Sequence, residues 1–231
     1  QNRARTGPEP GQIRARSGQE VLEDGNAIYS VAQWYPRMCA YTDVHGWRHR
    51  QYIGGGEFTL EFGNFLVKIT APEDHVVAST GALQNPEDVL TAAQRKRLEE
   101  AAGAKKPVMI VTRQEAAENR KNKLKGKKTW VYHARNVRDF AFATSRAFVW
   151  DAMPSKGEGF STMCMSYYPA EAMPLWDRYA THATAQTIEV FSRHTVPYPW
   201  PVAISVNSPV GGMEYPMATL VQHPPISADK M

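Results

Sequence analysis

No stretch of this sequence approaches the run of about 18 apolar residues that a membrane-crossing helix needs, and none is expected to span a bilayer. Cysteine is scarce. Cys39 and Cys164 lie far apart, which excludes a disulfide framework and a cysteine metal pair and leaves two buried free thiols. There is no G-x-S-x-G elbow and no Cys–His neighbourhood. Gly54-Gly55-Gly56 lacks the Lys-Ser/Thr of a phosphate loop, so a turn or bulge is expected there. Acid is missing from "NRKNKLKGKK", Asn119 to Lys128, which carries six basic residues. A groove for nucleic acid would interleave aromatics with those charges. None occurs before Trp130, so the run reads as a solvated helix end and loop, and no nucleic-acid partner is expected.

What is present is an ordinary globular composition, 42% hydrophobic and 22% charged over 231 residues, enough for a sizeable core. The opening residues 1–26 are polar and rich in Gly, Pro and Arg, and read as an irregular lead-in. The closing "QHPPISADKM" has the same character, and both ends read as cuts in a longer chain. Residues 27–153 read as a β domain. Phe58, Leu60 and Phe62, then Phe65, Val67 and Ile69, alternate between turn residues, as half-buried antiparallel strands do. A helical excursion is expected over 85–125. It contains "TAAQRKRLEEAAGA", a short strand "PVMIVT", and a capping box from Thr112 to Glu115. Residues 154–160, rich in turn formers, read as a linker. Beyond them, 161–231 reads as strand, helix, strand, the start of an α/β unit. The helix carries apolar residues at Leu175, Tyr179, Ala183, Ile188 and Phe191. That unit is too small to cover its own apolar surface, so exposed apolar patches with self-association or mobility are expected.

Chemistry-bearing patterns are sparse. His45 and His49 in "HGWRH" have i, i+4 spacing, but Gly46 stands where a zinc peptidase has Glu, and the flanks look like a hairpin turn. Asp43 and Asp139 could belong to a site, yet nothing in the sequence pairs them. "PVGGMEYPM", Pro209 to Met217, sets one carboxylate behind two glycines after the strand-like "VAISVNS". Glycines let a ligand backbone approach a strand edge, and a carboxylate at its end can hold an ammonium.

That segment resembles the G-x-M-E-N stretch of the aminopeptidase N family of zinc metallopeptidases, which are gluzincins, and its form is nearest a large bacterial subgroup. "VAQWYPRMCAYTDVHGW", "VKITAPEDHVVASTG" and "WVYHARNVRDFAFATSRAFVWDAM" resemble segments of the same family's N-terminal β domain, in the same order. The resemblance implies a mainly β chain: an antiparallel sandwich or saddle-like domain with a helical insertion, then the first α/β elements of a thermolysin-like catalytic domain. It implies that Glu214 binds the substrate ammonium, that Gly211, Gly212 and Met213 line the pairing edge, and that Gln33 reaches the same amine. The implied partners are a peptide with a free N-terminus and the remainder of the catalytic domain. Tyr215 departs from the family's Asn. The H-E-x-x-H helix and downstream Glu that bind zinc and activate water are missing from this sequence. The resemblance therefore implies zinc in a full-length enzyme, none in this chain, and an inactive fragment; export is expected by the resemblance only. The rival reading is a non-catalytic peptide-binding or scaffold module of the same descent.

Overall fold

The computed structural model describes residues 16–22, 24–49, 59–208, 210 and 212–222. The chain is mainly β. In order come β1 (Arg16–Val21), β2 (Ala27–Ala32), β3 (Tyr41–Thr42), β4 (Gly46–Trp47), β5 (Gly63–Pro72), β6 (Val76–Ser79) and β7 (Ala82–Leu83). The helical excursion follows with α1 (Pro86–Val89), α2 (Ala92–Ala101), β8 (Val108–Val111) and α3 (Arg113–Asn122). Then come β9 (Lys127–Val137), β10 (Phe142–Ser145), β11 (Val149–Gly157), β12 (Phe160–Tyr168), α4 (Leu175–His194), β13 (Val202–Ser208), β14 (Met213–Tyr215) and β15 (Ala218–Gln222).

Two antiparallel sheets carry the N-terminal strands, in the orders β1-β2-β10-β6 and β5-β9-β7. A third sheet of six strands runs β14-β15-β13-β12-β11-β8. Its β12–β13 and β13–β15 pairs are parallel, and α4 is the crossover that parallel pairing of β12 with β13 requires. One face of this sheet, with Trp150, Tyr167, Ile204, Val206 and Leu220, joins Ile28, Val77 and Trp130 of the other sheets, and Phe140 and Phe148 of the connections flanking β10, in one continuous core. The opposite face receives α4. Ser30 of β2 and Ser208 of β13 tie the two parts by a buried hydroxyl pair at 2.8 Å.

Local chemistry explains the elements. Thr112 Oγ1 accepts from Glu115 N and Glu115 Oε2 accepts from Thr112 N, so the expected capping box opens α3. Thr91 and Gln94 open α2 in the same way. In β5 the alternation holds over Phe65, Val67 and Ile69 against exposed Leu66 and Lys68. Phe58 and the glycine run 54–56 lie outside the described residues.

Three expectations need correcting. Residues 154–160 are not a linker: β11 runs to Gly157, β12 starts at Phe160, and their register closes with Gly157 opposite Phe160. The turn residues mark a hairpin tip, with Gly159 at φ +77. Within the lead-in, 16–21 forms β1, held by backbone pairing to β2 over the full strand. Backbone pairing needs no apolar periodicity, so the pattern concealed it. Third, the buried face of α4 is Trp176, Thr181, Ala185 and Ile188. Leu175, Tyr179 and Phe191 of the expected stripe are 41%, 60% and 62% exposed, so this helix has a second, uncovered apolar side.

Gly81 turns the chain between β6 and β7 at φ +96, where a Cβ would lie 2.8 Å from the backbone carbonyl carbon and oxygen of His133. Gly81→Ala must strain the turn and push β7 off β9. The expected loss is more than about 1 kcal/mol, read as a lower urea midpoint; an unchanged midpoint would contradict the close approach.

Candidate functional site

The stretch that carries Glu214 forms a hairpin. β14 pairs with β15 so that Met213 faces Leu220, Glu214 faces Thr219 and Tyr215 faces Ala218, with Met217 in the turn at φ 62. β14 closes one end of the six-stranded sheet, and among the described residues its outer edge has no partner strand. Strand alternation buries Met213 in the core and places Glu214, exposed, on the opposite face. Gly212 precedes them at φ +66, with nothing within 4 Å of where a Cβ would stand. Gly211 lies outside the described residues.

Glu214 opens onto a groove of about 680 Å³ between the uncovered side of α4 and the sheet face of β13, β15 and β14. Tyr179, Tyr198, Trp200 and Tyr215 supply aromatic walls. Tyr198 is held by its hydroxyl on the Val202 carbonyl at 3.1 Å, and Trp200 by its indole N–H on the Arg135 carbonyl at 3.2 Å. Ser205 and Thr219 line the groove beside Glu214.

The strand registers bring these polar residues into one row. Asp151 pairs with Ser166, Ser166 with Ser205, Ser205 with Thr219, and Thr219 with Glu214. The row crosses five strands on the face that α4 packs against, and it passes from buried Asp151 and Ser166 through half-buried Ser205 and Thr219 to exposed Glu214. At its buried end the Thr181 hydroxyl of α4 hydrogen-bonds Asp151 and sits 2.6 Å from Ser166 Oγ, while the Tyr168 hydroxyl donates to the other Asp151 oxygen. Burial pushes the Asp151 carboxyl up to about 6, against the lowering effect of those two hydrogen bonds; Asp177 adds to the rise. Among the described residues, neither amide atom of Asn207, fully buried on β13, has a hydrogen-bond partner, and the same holds for one buried Asp177 oxygen. Sequence reasoning missed this buried end; its one signal was a lone acid inside the apolar "FVWDAM".

Gln33 sits elsewhere. It follows β2 at φ 53, an uncommon conformation for a residue with a side chain, and it is half-buried. The segment after it is pinned: Trp34 donates to the Phe140 carbonyl at 3.1 Å, and Tyr35 and Arg37 both reach Asp139, at 2.8 and 2.7 Å. Asp139 therefore has the partners that the sequence did not assign to it. Burial, then Asp139, pushes the Tyr35 phenol well above its usual range, and Tyr215 contributes to the same rise. That interaction links the Gln33 segment to β14, but Gln33 is not among the groove's lining residues. No hydrogen bond joins it to Glu214 among the described residues.

His45 and His49 lie exposed on the β3–β4 hairpin, where His49 Nδ1 is 2.9 Å from the Trp47 carbonyl. Among the described residues no group of three or more His, Cys, Asp or Glu side chains could hold a metal ion. These residues do not fit a zinc site. Nor, among them, is any helix long and apolar enough to cross a membrane.

Two buried groups titrate with opposite sign. Asp151 takes its proton near 6 when folded and near 3.8 when unfolded. Its stabilising contribution is complete below 3.8 and is lost as pH rises through about 6, a change on the order of 3 kcal/mol. His75 is buried against Tyr29, and burial with Arg146 nearby lowers it from 6.5 to about 4. Its contribution is complete above 6.5 and is lost as pH falls towards 4. The two slopes oppose each other between about pH 4 and 6. Asp151→Asn should therefore make stability fall more steeply in acid, and His75→Phe should make it rise as pH drops from 6 to 4.5. Urea unfolding across that range tests both; identical pH profiles for all three proteins would refute the assignment.

The sequence matches no protein-family model and no curated protein. Among solved structures it is similar to an M1 zinc metallopeptidase from Deinococcus radiodurans, at 14% identity over 80% of this chain and 33% of that one, with a TM-score of 0.44. A mutant of an M1 zinc metallopeptidase from the same organism, bound to a Tyr-Ser-Ala substrate, is similar at 16% identity over 89% of this chain and 37% of that one, with a TM-score of 0.45. The chain thus spans about a third of the length of each.

Proposed function

We propose that the chain is part of a zinc-dependent aminopeptidase of the aminopeptidase N family, and that it contributes the groove side that recognises the substrate's free N-terminus. The observation that carries this reading is the placement of Glu214: an exposed carboxylate on a sheet-edge strand, behind a glycine in a left-handed turn with open space around it. A peptide adding itself to the outer edge of β14 gains backbone hydrogen bonds, and its ammonium gains a charge-assisted bond from Glu214. The strained backbone at Gln33 agrees with a second, amine-directed role for that residue. The second apolar side of α4 and the open sheet face beside it suit a docking surface for the remainder of a catalytic domain. Zinc and the water-activating base belong to that remainder, so the hydrolytic step is not assigned to residues of this chain.

The test is binding by the chain itself. A tripeptide with a free amine should quench or enhance the fluorescence of Trp200 and Trp176, and its N-acetyl form should bind at least about tenfold more weakly. Glu214→Gln should abolish that difference. Equal binding of both peptides to the unaltered chain would end the reading. An open frame past the codon for Met231 that encodes H-E-x-x-H would supply the zinc-binding part.

A further inference from the structure

The groove beside Glu214 contains, among the described residues that line it, one acidic side chain and one basic one, Glu214 and Arg138; the remaining lining is uncharged. Neither has an ion-pair or hydrogen-bond partner among the described residues. We propose that Arg138 binds the C-terminal carboxylate of the peptide whose ammonium Glu214 holds, so that the site selects short zwitterionic peptides. The inference rests on the reading of Glu214 as an ammonium site.

Arg138 stands on a fixed backbone. It follows β9 directly and precedes Asp139, which is 7% exposed and is locked by Tyr35, by Arg37 and by the Phe140 N–H at 2.8 Å. Three residues before Arg138, the Arg135 carbonyl accepts from the Trp200 indole, so the aromatic wall and the cation share one anchor. The guanidinium itself is exposed and free to turn its planar fork to a carboxylate, a geometry it matches in two parallel hydrogen bonds. Between the two charges lie tyrosine, tryptophan and aliphatic surfaces that suit apolar side chains. A groove of about 680 Å³ falls within the range of small-ligand sites, roughly 300–1,000 Å³. An extended tripeptide spans only about 10 Å, at roughly 3.3 Å per residue. A long polypeptide would carry its carboxylate out of reach and would forgo the Arg138 contact.

The experiment is a fluorescence titration of the chain with Leu-Ala-Phe in three forms: both ends free, N-acetylated, and C-amidated. Amidation should weaken binding about tenfold or more. Arg138→Gln should weaken the free acid by the same factor and leave the amide unchanged, while Arg138→Lys keeps part of the preference. Arg138 is exposed, so the variants should retain the fold, checked by circular dichroism. If acid and amide bind alike while acetylation weakens binding, the Arg138 proposal fails and the Glu214 reading stands. If acetylation has no effect, or no form binds, both fail.

Discussion

Nine consecutive residue pairs join β11 to β12, from Val149 opposite Tyr168 to Gly157 opposite Phe160, and everything that follows in the chain is placed by them. β11 also pairs with β8 from the helical excursion, and β12 with β13. The hairpin therefore joins β8 of the helical excursion and the strands of the α/β segment in one sheet. Because side chains alternate with period two, its register decides at once which residues enter the common core and which meet α4. Slipping it by a single residue would exchange Trp150 and Tyr167 for Asp151 and Ser166 in the core. The stacking of Trp150 on Tyr167, with ring centroids 5.1 Å apart, fixes the choice.

The same register aligns a row of polar side chains. Had Asp151, Ser166, Ser205, Thr219 and Glu214 been read as separate positions, they would have nothing in common. On the sheet they form a transverse polar line whose buried end grips α4 and whose exposed end faces the groove. Thr181 is the joint between helix and line. The groove thus has one wall, α4, whose distance from the floor is set by a carboxylate and two hydroxyls rather than by apolar contact alone. Polar pairing is directional where hydrophobic contact is not, and this suits a wall that must stay at a fixed separation from Glu214.

Much of this was legible in the residues themselves. The box at Thr112 and Glu115, the alternation over Phe65 to Ile69, and the isolation of Glu214 behind glycine all follow from local rules, and local rules are what a sequence displays. The hairpin at 154–160 was misread because turn formers mark both a hairpin tip and a linker; only a partner strand distinguishes them. β1 was hidden because its stabilising interactions are backbone bonds to β2, which leave no trace in side-chain pattern. In α4, apolar residues occur on two sides, so periodicity alone could not say which side faces the sheet. Asp151 and Asp139 owe their roles to partners distant in sequence, Thr181 in one case and Arg37 in the other.

Cys164 lies wholly under α4, packed with Ala185, Ile188 and Ala203, and burial raises its thiol to about 12. A buried, protonated thiol is chemically silent. It becomes visible to an alkylating reagent only during the moments when the helix lifts from the sheet. The chain thus carries its own clock for the seam beneath the groove: the rate at which Cys164 is labelled counts the openings of α4, and a ligand that clasps helix and sheet together would slow it.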